Sequence, residues 1–178
     1  AFIFADDMGY GDVSALNENS KIKTTNIDRI ANEGVVFTDA HSSSSVSTPS
    51  RYGVLTGRYN WRSDLKSGVL MGYNKALSAP DRRTIASVLR DQGYQTACIG
   101  KWHLGWDWNN IEAGPDSVDF SKPISNGPTT RGFDYFYGII ASLDMAPYVY
   151  VENDMPTALP DRVTCLLYTS DAADDSLR

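Results

Sequence analysis

Within the stretch Ser42 to Arg58, Ser47 is surrounded by residues that would turn its hydroxyl towards an anionic ester. Thr48 is a good helix N-cap, and Pro49 suits the first helical position because its missing N–H would be unpaired there anyway. Gly57 can take the left-handed conformation that ends a helix. The helix so bounded would point free N–H groups and a partial positive charge back at Ser47, and such an end holds anions. Arg51, one turn in, adds a permanent planar cation matched to tetrahedral oxyanions. Ser47 therefore sits where a nucleophile attacking an anionic ester would sit. Taken alone, the same residues also describe a serine-rich loop before an ordinary capped helix.

Two further clusters could do chemistry. The apolar run Phe2-Ile3-Phe4 ends in Asp6-Asp7-Met8-Gly9-Tyr10-Gly11-Asp12. Ligand sites of open α/β sheets lie beyond the carboxyl ends of strands, where these carboxylates would fall. Two ionised neighbours about 4 Å apart repel by about 4 kcal/mol at an effective dielectric of 20, so a cation should hold them. Paired Asp oxygens suit Ca²⁺ or Mg²⁺ better than zinc, and by themselves they also suit a solvated acidic turn. Asp12 reads as a loop or capping carboxylate. The third cluster is Gly100-Lys101-Trp102-His103-Leu104-Gly105. On an extended chain Lys101 and His103 project from the same face. With Arg51 they would give an anionic ester the fixed donors it needs.

Taken together, these three motifs are similar to those of the type I sulfatases, the formylglycine-dependent arylsulfatase family of the alkaline phosphatase superfamily. Ser47-Thr48-Pro49-Ser50-Arg51 with Leu55-Thr56-Gly57-Arg58 resembles the family signature, whose first residue, Cys or Ser, is oxidised after translation to formylglycine. Asp6 and Asp7 resemble the leading aspartates of the N-terminal motif that binds Ca²⁺. Lys101 and His103 match the Lys and His that contact formylglycine and sulfate. The resemblance implies that the hydrated aldehyde at position 47, activated by a metal on Asp6 and Asp7, attacks sulfur through one hydroxyl and collapses through the other to expel sulfate. Arg51 and Lys101 would stabilise the charge, and His103 would orient or deprotonate the diol. In the same way Ser142 and Asp144 are implied to reach substrate oxygens. The partners implied are a small-molecule or glycan sulfate ester and a maturation enzyme that makes formylglycine. The family also takes further calcium ligands, a second His and another Lys from later in its chain, so this stretch is expected to hold half a site and to be inactive alone.

The elements that must position these residues follow from periodicity. Thr25 opens a helix with Ile27, Ile30 and Ala31 on one face and Gly34 as its stop, and Val35-Val36-Phe37 reads as a strand. His41 is a loop or packing residue before it is a base. Residues from Tyr59 to Pro80 look irregular. Thr84 caps a second helix with Ile85, Val88 and Leu89 inward and Gly93 as terminator. Gln95–Ile99, Gly132–Gly138 and the alternating Tyr148–Val151 read as strands, with a loop over residues 109–131. Trp102, Trp106 and Trp108 could stack on a sugar or pack in the core. Strands alternating with capped helices imply a three-layer α/β sandwich, which the resemblance specifies as the alkaline-phosphatase-like fold.

Composition and ends set limits. A net charge of −6 argues against nucleic acid and anionic membrane as partners, so an anionic substrate must be drawn in locally. No apolar run approaches a membrane span. The chain opens inside a strand, and Cys165 to Asp174 resembles a translated sequencing adapter; we expect a partial sulfatase domain over residues 1–164, truncated at both ends, and a non-native tail over 165–178. That leaves Cys98 with no disulfide framework. Bacterial serine-type sulfatases are commonly exported, so the resemblance implies a periplasmic or secreted protein. The rival expectations are a metal-dependent phosphodiesterase or phosphonate hydrolase of the same superfamily, and an inactive anion-binding domain in which Ser47 stays a serine.

Overall fold

A computed structural model describes residues 1–162, so the tail expected over 165–178 lies outside the described residues. The chain forms two compact units, divided between His41 and Ser42, and each is described by itself.

The first unit is organised by α1 (Thr25–Glu33), which runs as expected to Gly34. Its first turn is pinned by Asp28, which accepts hydrogen bonds from the Ser14 and Thr24 hydroxyls and the Ala15 N–H. The Ser14 and Thr24 bonds favour the ionised carboxyl and hold it below the usual carboxylate range. Asp12 caps its own turn, accepting the Gly9 N–H at 2.9 Å. The expected strands at residues 2–4 and 35–37 are not formed. Ile3 is 85% exposed and Phe37 77%; no strand within this unit pairs with either run, and an apolar run without a ladder has nothing to make it a strand. His41 is exposed and bonds Asp39 at 2.6 Å.

Among the described residues the second unit is mixed α/β with an open four-stranded sheet in the order β1-β2-β3-β4: β1 (Ala97–Lys101), β2 (Tyr135–Ile139), β3 (Val151–Glu152) and β4 (Met155–Pro156). β1 and β2 are parallel, whereas β2–β3 and β3–β4 are antiparallel. β1 starts and ends two residues later than its sequence suggests, which places Lys101 on the strand itself. The parallel crossover, residues 102–134, contains no α-helix, contrary to strict strand–helix alternation; three short 3₁₀ turns and the tryptophans fill it instead. Register is set at its ends, where Thr96 Oγ donates to the Gly132 carbonyl and the Asp134 carboxylate accepts the Thr96 N–H. Alternation at Tyr148–Val151 holds, with Val149 and Val151 buried.

The core gathers on the crossover. Trp102, Trp106 and Trp108 are buried with Leu104, Phe136, Ile140 and Val151, and the indoles of Trp106 and Trp108 meet edge to face at 5.3 Å. The tryptophans are therefore core and not a sugar platform. α2 (Ser47–Thr56) joins this core through Tyr52 and Leu55. α3 (Ile85–Asp91) has the expected cap, Thr84 Oγ accepting the Ser87 N–H at 3.0 Å. Its packing differs from expectation: Ile85, Val88 and Leu89 are 55%, 43% and 40% exposed, and Ala86 is the buried residue. The helix meets the rest of the unit by close backbone approach, since a Cβ on Gly132 would lie 2.3 Å from Ser87 N, and close approach selects the small side chain.

Gly100 and Gly138 face each other across β1 and β2, and a Cβ on Gly138 would fall 1.7 Å from the Gly100 carbonyl oxygen. Gly138→Ala must force the strands apart. Urea denaturation should show a loss of about 3 kcal/mol or more, in the range of severe core lesions; a change within about 0.5 kcal/mol would contradict this strand contact.

Candidate active site

Helix α2 begins two residues earlier than its capping pattern suggests. Val46 takes the extended N-cap position and Ser47 is the first helical residue, so Thr48 and Pro49 lie inside the first turn. The serine-rich loop before it is folded onto the helix by its own hydroxyls: Ser43 donates to the Pro49 carbonyl at 3.2 Å, and Ser50 donates to that of Ser44 at 2.7 Å. Gly53 makes this possible, because a Cβ there would lie 2.2 Å from Ser43 Oγ. Gly57 ends the helix with φ +67°, as expected. The helix divides into two faces. Thr48, Tyr52 and Leu55 are buried, while Ser47 and Arg51, one turn apart, are half-buried and face the site.

The other half of the site comes off β1. The ladder to β2 continues past the strand, with Trp102 N–H donating to Ile139 and His103 N–H to Ile140 at 2.7 Å. His103 then turns into the left-handed region at φ +55°, so it is not the extended neighbour of Lys101 that the two-residue spacing implied. That turn buries the imidazole, 1% exposed, beneath α2.

The side chains meet in a continuous line. His103 Nδ1 lies 2.8 Å from Ser47 Oγ, and Arg51 Nε–H donates to the same oxygen at 3.0 Å. Arg51 Nη1 also donates to the Lys101 carbonyl, and Lys101 Nζ donates to Ser142 Oγ at 2.6 Å. The other ring nitrogen, His103 Nε2, is 2.7 Å from the Leu70 carbonyl oxygen. A carbonyl only accepts, so Nε2 carries a proton, and in the neutral ring Nδ1 presents a lone pair to the Ser47 hydroxyl. Ser47 thus gives its proton towards His103 while its oxygen accepts from a permanent cation.

Of the site residues expected from sequence, Ser47, Arg51, Lys101, His103 and Ser142 are brought together. Asp144 is exposed and makes none of these bonds. Asp6 and Asp7 are exposed carboxylates in the first unit, offering hard oxygens of the kind Ca²⁺ takes. Among the described residues no group of three or more His, Cys, Asp or Glu stands together as a metal cage, and a calcium shell of about six to eight oxygens needs donors beyond these two. Sequence reasoning missed Leu70, whose main-chain oxygen fixes the imidazole; no residue type signals a backbone acceptor.

These motifs on this sheet are those of a sulfatase, and comparison with known proteins agrees. The family model described as Sulfatase matches residues 1–173. The chain is 42% identical over 153 residues to N-acetylgalactosamine-6-O-sulfatase of Bacteroides thetaiotaomicron, covering 85% of this chain and 28% of that protein. It is 41% identical over 143 residues to arylsulfatase G of Mus musculus, covering 80% and 24%. A solved sulfatase structure from work on glycosaminoglycan metabolism by B. thetaiotaomicron superposes with a TM-score of 0.78 at 41% identity, covering 89% of this chain and 32% of that one. The chain belongs to the sulfatase family and has its alkaline-phosphatase-like fold. It spans less than a third of the length of these relatives.

Cys98, on β1 three residues before Lys101, is half-buried, and burial pushes its thiol up to about 11 against the opposing charge of Arg51. The thiolate is the reactive form, so about one thiol in a thousand is ionised at pH 8. Peptide-resolved mass spectrometry should find Cys98 poorly alkylated by iodoacetamide at pH 7 to 8, with the rate climbing as pH rises towards 11. Complete labelling within minutes at pH 7 would contradict its burial.

Proposed function

We propose that the protein to which this chain belongs is a sulfuric ester hydrolase that cleaves sulfate monoesters of sulfated glycans or aryl sulfates. The observation that carries this reading is the placement of Ser47 Oγ between the Arg51 guanidinium and the Nδ1 lone pair of His103, at the N-terminus of α2. The relatives' names, one for a sulfated amino sugar and one for an aryl sulfate, support both substrate classes.

Residue 47 is the site of formylglycine, whose hydrated aldehyde supplies a nucleophile that can also release the sulfate it accepts. Asp6, Asp7 and the residue 47 oxygen are the ligands we assign to Ca²⁺, which would add positive charge beside the ester. The chain's own residues do the rest. Arg51 Nε donates to the nucleophilic oxygen and balances the charge that grows on it. His103 takes the proton of that oxygen at Nδ1 while Nε2 stays bonded to Leu70. The Lys101 ammonium, steered by Ser142, meets the sulfuryl oxygens of an ester that stays anionic across the working pH range. Asp144, exposed beyond Ser142, is left to substrate positioning. The remaining ligands and the acid that protonates the leaving group belong to the rest of the longer protein. A formylglycine-generating enzyme that accepts serine is the maturation partner, and export to the periplasm or medium suits extracellular glycan substrates.

Mass spectrometry of the Ser47 peptide tests the reading directly, using the full-length protein expressed with such a maturation enzyme. Loss of two hydrogens, with aryl sulfate hydrolysis abolished by Ser47→Ala, is the expected result. An intact serine with phosphodiesterase activity would overturn it. In the matured full-length enzyme Arg51→Lys keeps the charge but loses the Nε donor, and kcat should fall by about a hundredfold or more, as on removal of one oxyanion donor. An unchanged kcat would remove Arg51 from the reaction.

A further inference from the structure

Thr48, buried and without a cap to make, holds the carbonyl that holds the imidazole. Its Oγ accepts the Leu70 N–H at 3.1 Å, and the Leu70 carbonyl receives His103 Nε2–H at 2.7 Å. The two bonds use opposite ends of one residue. We propose that Thr48 is a positioning residue that sets the orientation and tautomer of His103 through Leu70.

The argument rests on what else could hold that carbonyl. Leu70 lies in the irregular stretch between the 3₁₀ turn Asn60–Arg62 and α3, outside any strand or helix. The stretch is tied down further on, where Trp108 Nε1 donates to the Gly72 carbonyl at 2.9 Å and Leu77 N–H donates to Leu104 at 2.9 Å. Those ties fix the segment after Leu70, whereas the Thr48 hydroxyl fixes Leu70 itself. Thr48 is fully buried in the first turn of a ten-residue helix, so its hydroxyl is a rigid anchor. The same turn carries Ser47. Nucleophile and clamp are therefore adjacent residues on one backbone, and the ring is gripped at Nδ1 by one and, through Leu70, at Nε2 by the other. An imidazole released at Nε2 could flip or change tautomer, and Nδ1 would then no longer present a lone pair to residue 47.

The significance for catalysis rests on the sulfatase reading above, but the geometry does not, and the test reads the geometry. In the full-length protein labelled with ¹⁵N-histidine, the ring signals that vanish in a His103→Gln control are those of His103. At a fixed pH where the ring is neutral, wild-type protein should show a slowly exchanging His103 Nε2–H. Thr48→Val keeps the shape and removes the acceptor; exchange of that proton should quicken by about tenfold, the effect of one hydrogen bond's net stabilisation. Thr48→Ser restores the hydroxyl and should restore slow exchange. Unchanged Nε2–H exchange in Thr48→Val overturns the proposal. If Thr48→Val does not fold, amide exchange in the wild type decides: a protected Leu70 N–H alongside the slow ring proton supports the clamp, and an unprotected one refutes it. Should the ring effect appear while the matured full-length enzyme cleaves no sulfate ester, the clamp stands and the sulfatase reading falls.

Discussion

The parallel pairing of β1 with β2 is the constraint from which the site follows. The missing side chain of Gly138 lets its strand approach the Gly100 carbonyl closely, and the ladder continues through Trp102 and His103 to Ile139 and Ile140. That continuation leaves Lys101 on the strand end and delivers His103 into the left-handed turn that buries its ring. Two residues whose side chains would share one face of a regular strand are instead aimed differently. Lys101 goes to Ser142, and His103 goes to Ser47. The crossover that follows buries three tryptophans directly behind these residues, so the polar face is backed by the stiffest part of the core.

A chain with a net charge of −6 can recruit an anion only through local, fixed donors. The structure supplies them in order of rigidity. Arg51 is held at both ends of its fork, by Ser47 and by the Lys101 carbonyl, and it springs from a helix anchored by Tyr52 and Leu55. Lys101, on its longer aliphatic stem, donates to the Ser142 hydroxyl. The imidazole gives no permanent charge and works through a lone pair. This division suits a substrate whose charge never changes while the nucleophile's does.

The chemistry-bearing residues were legible because motifs encode side-chain types at fixed spacings. Ser47, Arg51, Lys101, His103 and Ser142 needed no geometry to be named. Local signals with a single physical cause also read correctly: the Thr84 cap, the Gly34 and Gly57 stops, and the Val149/Val151 alternation. What failed depended on neighbours. Phe2-Ile3-Phe4 and Val35-Val36-Phe37 are apolar enough for strands but form no strand within their unit. Ile85, Val88 and Leu89 mark an inward face by period, yet α3 is seated by the small Ala86 against Gly132. Three tryptophans within seven residues read equally as platform or core, and only burial decides between these.

The misreading of Thr48 has the largest mechanistic consequence. A threonine before proline reads as a cap because the hydroxyl can satisfy a free N–H of its own helix. Here the helix starts two residues sooner, and the hydroxyl satisfies an N–H from a distant segment. With Thr48 as cap, Ser47 would have been the last residue of a serine-rich loop, with its backbone free to vary. As the first helical residue, Ser47 has helical dihedrals imposed on it, and its side chain leaves a fixed point on a helix locked to the core. A reacting atom within hydrogen-bond reach of both a guanidinium and an imidazole needs that precision, since loss of about 1 Å in placement can cost a hundredfold in rate. The proline two residues on reinforces it, with φ already at the helical value.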